Sequence, residues 1–252
     1  MHALSFSRYA GILLSVLLLV CSFSPPGLRL WRYENDALQQ VAPAEQLLPL
    51  PGEEVIEVSG GNSPLQIILK DEQLYIYTQS SSPHLLWQSP PEWRVKQVQV
   101  TDLNRDGNTE LALLVWRQFE PWPIDRYLPY SGRIAGHQDR RGQSCHLVLV
   151  GWRSDGFGEL WAGSALVQPL HAILAADLDN DGWQELAALE GQYDDPVYLP
   201  SRALSLWEWN GFGFSLLTRQ PGRFHGMAAA LTPKGETRLL VHGQATAAGA
   251  AR

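Results

Sequence analysis

Asp177-Leu178-Asp179-Asn180-Asp181-Gly182-Trp183-Gln184-Glu185 places oxygen side chains at positions 1, 3, 5 and 9, with a glycine at position 6. That spacing wraps a short loop around a hard cation, and the glycine permits the sharp turn. Position 7, Trp183, is expected to offer its backbone carbonyl. The flanks, His171–Ala176 and Leu186–Leu189, are apolar runs of strand length, too short for helices. The stretch therefore reads as a metal-tied β-hairpin.

The same unit stands earlier in the chain. Gln97–Thr101 leads into Asp102-Leu103-Asn104-Arg105-Asp106-Gly107-Asn108-Thr109-Glu110, and Leu111–Val115 follows. The expected ligand residues are Asp102, Asn104, Asp106, Asn108 and Glu110 in this first loop. In the second loop they are Asp177, Asp179, Asp181, Trp183 and Glu185. A plain polar turn without an ion is the alternative. An EF-hand loop fits less well because it needs a bidentate Glu at position 12, where these loops carry Leu113 and Ala188. A dockerin-type loop fails at the same position.

The pattern Asp-x-Asx-x-Asp-Gly-x-x-Glu between two strands resembles the FG-GAP repeat, also called VCBS-type, of integrin-α-like β-propellers. The resemblance implies an all-β propeller in which each loop joins the first two strands of a blade and holds Ca²⁺, giving two calcium sites here. It implies little about function, since propellers host many unrelated roles.

Hairpins of a second kind alternate with these. His146–Trp152 turns at Ser154-Asp155-Gly156 into Phe157–Trp161, and Ala203–Trp209 turns at Asn210-Gly211 into Phe212–Leu217. Asp-Gly and Asn-Gly suit tight hairpin turns that need positive φ. Weaker outer hairpins are Leu74–Tyr77 with Leu85–Trp87, and Leu28–Tyr33 with Leu38–Val41. Inner hairpins without acidic ligands are Glu54–Val58 with Leu65–Leu69, and Gly226–Ala230 with Thr237–Val241. The order predicts a four-bladed propeller over residues 25–243, closed by pairing the N- and C-terminal hairpins so that no blade leaves an open edge. Part of a larger propeller is the competing count.

Residues 1–24 read as an export signal or membrane anchor. Arg8 precedes an apolar run from Tyr9 to Phe23 that is predicted to be helical. No small-x-small cleavage site follows it, and the position before Cys21 in a possible lipobox is Val20. The expectation is an exported domain, membrane-anchored or secreted if the segment is cleaved, with residues 244–252 as a flexible tail. Cys21 and Cys145 are the only cysteines, and their settings argue against a disulfide. The net charge of −7 argues against a nucleic-acid partner.

Two insertions, Arg117–Ser144 and Gly191–Arg202, separate inner from outer hairpins and should emerge opposite the metal loops. They carry Phe119, Trp122, Tyr127, Tyr130, Tyr193 and Tyr198 beside charges of both signs. This mixture suits recognition of a protein segment or a saccharide, although the aromatics could equally cover the end of the propeller. Catalytic signals are sparse. Asp194-Asp195 or Glu120 with Asp125 could pair for glycoside chemistry. His137 and Asp139 have no serine or cysteine in a nucleophile setting, and His146, His171, His225 and His242 read as structural. The chain is expected to be a non-catalytic binding or scaffold module. A carbohydrate-active enzyme using residues 117–144 and 191–202 is the alternative.

Overall fold

The computed structural model describes residues 28–35, 37–41, 48–49, 65–78, 81–120, 136–196 and 199–246. Every regular element among them is a strand. In chain order these are β1 (Leu28–Glu34), β2 (Ala37–Val41), β3 (Leu48–Pro49), β4 (Leu65–Lys70), β5 (Gln73–Thr78), β6 (Leu85–Gln88), β7 (Arg94–Thr101) and β8 (Glu110–Gln118). They continue as β9 (Gln143–Arg153), β10 (Gly156–Ala162), β11 (Leu170–Ala176), β12 (Glu185–Glu190), β13 (Ser201–Trp209), β14 (Phe214–Leu231) and β15 (Thr237–Ala245). The all-β expectation holds. The predicted N-terminal helix and the inner strand Glu54–Val58 lie outside the described residues. No helix among the described residues is long and apolar enough to cross a membrane.

All the pairing is antiparallel and mostly between sequence neighbours. β7 to β10 form one four-stranded meander, and β4 to β6 form a three-stranded one. The largest sheet runs β11-β12-β13-β14-β15-β1-β2, with β3 on the side of β14. Within it β1 lies along β15, pairing Leu28 with His242 and Trp31 with Leu239. The expected meeting of the first and last hairpins is therefore present.

The layers are held by strands buried on both faces. Along β8, Leu111, Leu113 and Val115 point into a core shared with β4, β5 and β7. The alternate residues Ala112 and Leu114 point into a second core with Leu147, Leu149, Ile173 and Leu186. A third core joins Leu189, Leu204 and Leu206 to Trp31, Phe224, Leu239 and Val241. Period-2 alternation that is apolar on both sides is what a sheet sandwiched between sheets requires. Each such side chain contributes about 1.5–3 kcal/mol by leaving water. Gln97 stitches two sheets directly: its amide donates to the Ile173 carbonyl at 2.6 Å, and its Oε1 accepts from the Ile173 N–H at 2.8 Å.

Three boundaries differ from expectation. The strands read separately as Phe212–Leu217 and Gly226–Ala230 are parts of one strand, β14, and Phe212-Gly213 belong to the turn before it. The strand is continuous because it changes partner: Phe224 still faces Ser201 of β13 while Gly222 already faces Ala245 of β15. Gly222 makes that crossover possible, since a Cβ there would sit 2.4 Å from the Gln244 carbonyl. The insertions are shorter than predicted, because Arg117 pairs with Ser144, Gln118 with Gln143, and Ser201 and Arg202 open β13. β15 also runs through Ala245, and the Thr246 N–H bonds the Pro221 carbonyl, so residues 244–246 are ordered in the sheet rather than part of a flexible tail.

Candidate metal centre

The first loop joins β7 to β8 and the second joins β11 to β12, at the same end of adjacent sheets. Their hydrogen bonds repeat position by position. The N–H of position 5 (Asp106, Asp181) donates to the position 1 carboxylate and to the position 3 oxygen, each at 3.1 Å. The N–H of Gly107 or Gly182 donates to the other oxygen of position 1, at 3.1 and 3.0 Å. Both glycines have positive φ, +80° and +95°, so a side chain there would strain the turn. Position 4 is also left-handed in both loops, at 60° for Arg105 and 65° for Asn180.

Carboxylate oxygens converge as the spacing predicts. One oxygen each of Asp102, Asp106 and Glu110 lie within 4.8 Å of one another, as do those of Asp177, Asp179 and Glu185. Oxygens 2.3–2.6 Å from one Ca²⁺ stand at most about 5 Å apart across it, so both clusters have the right span. Asn104 stays in the turn, its Oδ1 accepting from Asp106 and its Nδ2 donating to Asp106. Asn108 and Trp183 at position 7 donate their N–H groups to position 5, and Trp183 is partly exposed. Asp181 stands against Asp179 and takes the Trp183 N–H rather than joining the three converging carboxylates.

The position 9 glutamates are the buried members, each only 1% exposed. Glu110 Oε1 accepts from the N–H groups of Leu103 and Asn104, at 2.8 and 3.2 Å. Its Oε2 is buried with no partner among the described residues. Burial pushes Glu110 up to about 7, with Asp102 and Asp106 adding repulsion. Glu185 also sits at about 7, raised by burial first and then by Asp179, Asp181 and Asp177. Burial raises Asp179 too. A buried orphan oxygen among crowded carboxylates is costly unless a cation meets it. The all-oxygen donor sets fit Ca²⁺, and Asp102, Asp106 and Glu110, with Asp177, Asp179 and Glu185, are the residues that would hold it.

The two loops also touch each other, which the sequence does not announce. Gln184 Oε1 accepts from the Thr101 hydroxyl at 2.6 Å and from the Asp102 N–H at 2.9 Å. Arg105 crosses from the first loop to Glu185 of the second, Nη2 to Oε1 at 3.4 Å. Asn180 at the same position accepts from the Thr237 N–H at 2.8 Å, a contact with β15 of its own sheet. Position 4 thus reaches beyond its own hairpin in both loops, across to another sheet at Arg105 and within the same sheet at Asn180.

The opposite end carries the insertions, of which residues 121–135 and 197–198 lie outside the described residues. The insertions do touch: the Arg140 N–H donates to Asp194, and its guanidinium pairs with the same carboxylate at 3.4 Å. Asp195 is gripped by Arg202 at 2.6 and 2.8 Å, which holds its carboxyl below the usual range. Asp194 and Asp195 are therefore each tied to an arginine. Tyr193 is half-buried, donating to the Leu166 carbonyl at 2.6 Å and lying edge-on to Trp116. Asp139 holds a turn by accepting from the Arg141 and Gln143 N–H groups. His146 accepts from the Ser144 hydroxyl at 2.8 Å while its Nδ1–H donates to the Gly163 carbonyl. Burial lowers that imidazole to about 4 and closes both residues off from substrate. Burial likewise raises the Cys145 thiol to about 12.

Compared with known proteins, the chain is matched by no family model and by no curated sequence.

Proposed function

We propose that the chain is a small four-bladed β-propeller, stabilised by two Ca²⁺ ions, that acts outside the cytoplasm as a non-catalytic binding or scaffold module. The observation that carries the metal reading is the paired geometry of the two loops, with Glu110 Oε2 buried and unmet beside two aspartates. The propeller reading draws on the sequential meanders and on the β1–β15 pairing. Calcium would neutralise carboxylates that burial now forces together, so its role is to hold inner strands in register rather than to activate a substrate.

The insertion end is the recognition surface in this reading, for a protein segment or a saccharide. The ties of Asp194 and Asp195 to arginines support a binding role over glycoside chemistry, which needs one carboxyl that keeps a proton.

Calorimetric titration of Ca²⁺ into the chelator-stripped chain tests the proposal. Two binding events and a raised melting temperature are expected. Absence of both heat and stabilisation at millimolar calcium would overturn it.

A further inference from the structure

Arg105 belongs to the first loop by sequence and to the second by contact. Its Nη2 lies 3.4 Å from Glu185 Oε1 and 3.7 Å from Glu208 Oε2, between a buried carboxylate and a partly exposed one. Its Nε is buried without a partner among the described residues. Other arginines here close on their carboxylates at 2.6 Å, as Arg202 does on Asp195 and Arg219 on Glu190. Arg105 is therefore held loosely, with two acceptors within reach.

The oxygen it touches is the one at issue. Glu185 gives Oε2 to the Leu178 N–H at 2.9 Å and Oε1 to Arg105. Glu110 gives Oε1 to two backbone N–H groups, and its Oε2 has no partner. In the first loop the free oxygen waits for an external cation. In the second loop the corresponding oxygen already meets one, supplied by the neighbouring loop. The second loop has four carboxylates, Asp177, Asp179, Asp181 and Glu185, against three in the first, Asp102, Asp106 and Glu110. Arg105 offsets that extra charge.

We propose that Arg105 is an internal competitor for the second metal site: it occupies Glu185 when no ion is bound and yields it to Ca²⁺ by shifting to Glu208. The affinity of the second loop is then set by a residue of the first. This rests on the calcium reading given above. Charge count alone would rank the second loop tighter, and Arg105 removes that advantage.

The test uses the full chain carrying Asp106→Asn to weaken the first loop. Terbium serves as the probe, excited through Trp183 within the second loop and displaced by Ca²⁺. Arg105→Asn, which suits a left-handed position, is expected to tighten Ca²⁺ at the second loop by about five- to tenfold. Arg105→Lys keeps the charge and should stay close to the parent. Glu208→Gln removes the alternative acceptor and should weaken binding. Melting curves check that each variant folds; if Arg105→Asn does not, Glu208→Gln and Arg105→Lys carry the test. Unchanged or weaker binding in Arg105→Asn, or tighter binding in Glu208→Gln, overturns the competitor role while calcium binding stands. A parent that binds neither terbium nor calcium overturns the metal reading itself.

Discussion

The first and second loops share a backbone and differ in what surrounds them. Both turn on a left-handed position 4 and a glycine at position 6, and both bury a glutamate at position 9. The first glutamate is fastened by two backbone N–H groups and left with a bare oxygen. The second is fastened by one and shares its other oxygen with Arg105. Identical spacing in sequence thus yields two carboxylate clusters with different charged surroundings, because each is completed by neighbours that the motif does not include.

The largest effect that tests this comparison is on pH dependence without metal. Glu110 and Glu185 are both raised from 4.5 to about 7, so the folded state prefers them protonated. The associated stability is present below pH 4.5 and is lost as pH rises through about 7, on the order of 3 kcal/mol per carboxyl. In chelator the chain should melt higher at pH 5 than at pH 8, and saturating calcium should remove the difference. Glu110→Gln and Glu185→Gln should each abolish roughly half of it. An uneven split would show that one loop dominates, and a melting temperature that rises with pH would contradict the arrangement.

The contact between the loops gives a smaller, sharper effect. Gln184→Ala deprives the Asp102 N–H and the Thr101 hydroxyl of their acceptor, costing about 1–2 kcal/mol in urea unfolding. Calcium affinity of the first loop should fall with it, because Asp102 is one of the three carboxylates proposed to hold the ion there. A loss of stability with intact affinity would mean that the loops are coupled mechanically but not at their ligands.

The smallest effect belongs to the other end of the molecule. Arg140→Ala breaks the Arg140–Asp194 tie, whose arginine is 86% exposed, and should cost less than about 0.5 kcal/mol. Partner binding, if it uses the insertion end, should nonetheless weaken in a pull-down from the native source. A collapse in melting temperature would place the insertions in the core and end the contrast between a stabilising end and a recognising end.

Much of this was legible because it is local. A nine-residue oxygen pattern, an Asp-Gly or Asn-Gly turn and a run of alternating apolar residues each report on a few successive dihedrals. β7 to β13 accordingly lie where those signals put them. What the sequence hid depends on contacts between distant residues. Thr218 to Phe224 carries no strand signal of its own, yet it is extended because β13 and β15 flank it in turn. Arg105 reads as a charge beside the first loop, and only the packing of adjacent sheets aims it at Glu185. Gln184 looks like a filler residue in its own loop and is an acceptor for another. Asp194 and Asp195 read as free acids because their arginines stand far off in sequence or across a turn.

The pairing of Trp31 with Leu239 has a consequence for how the molecule comes together during synthesis. These partners are separated by about 200 positions, so their contact carries one of the longest loop closures the chain can make, and such contacts form late. Until β15 is made, β1 has an unpaired edge, while the sheets from β4 to β13 already have all their in-sequence partners. The nascent protein is therefore expected to wait as a mostly ordered stack in which the facing edges of β1 and β14 still lack β15, and a chaperone or a second nascent copy would find its grip there.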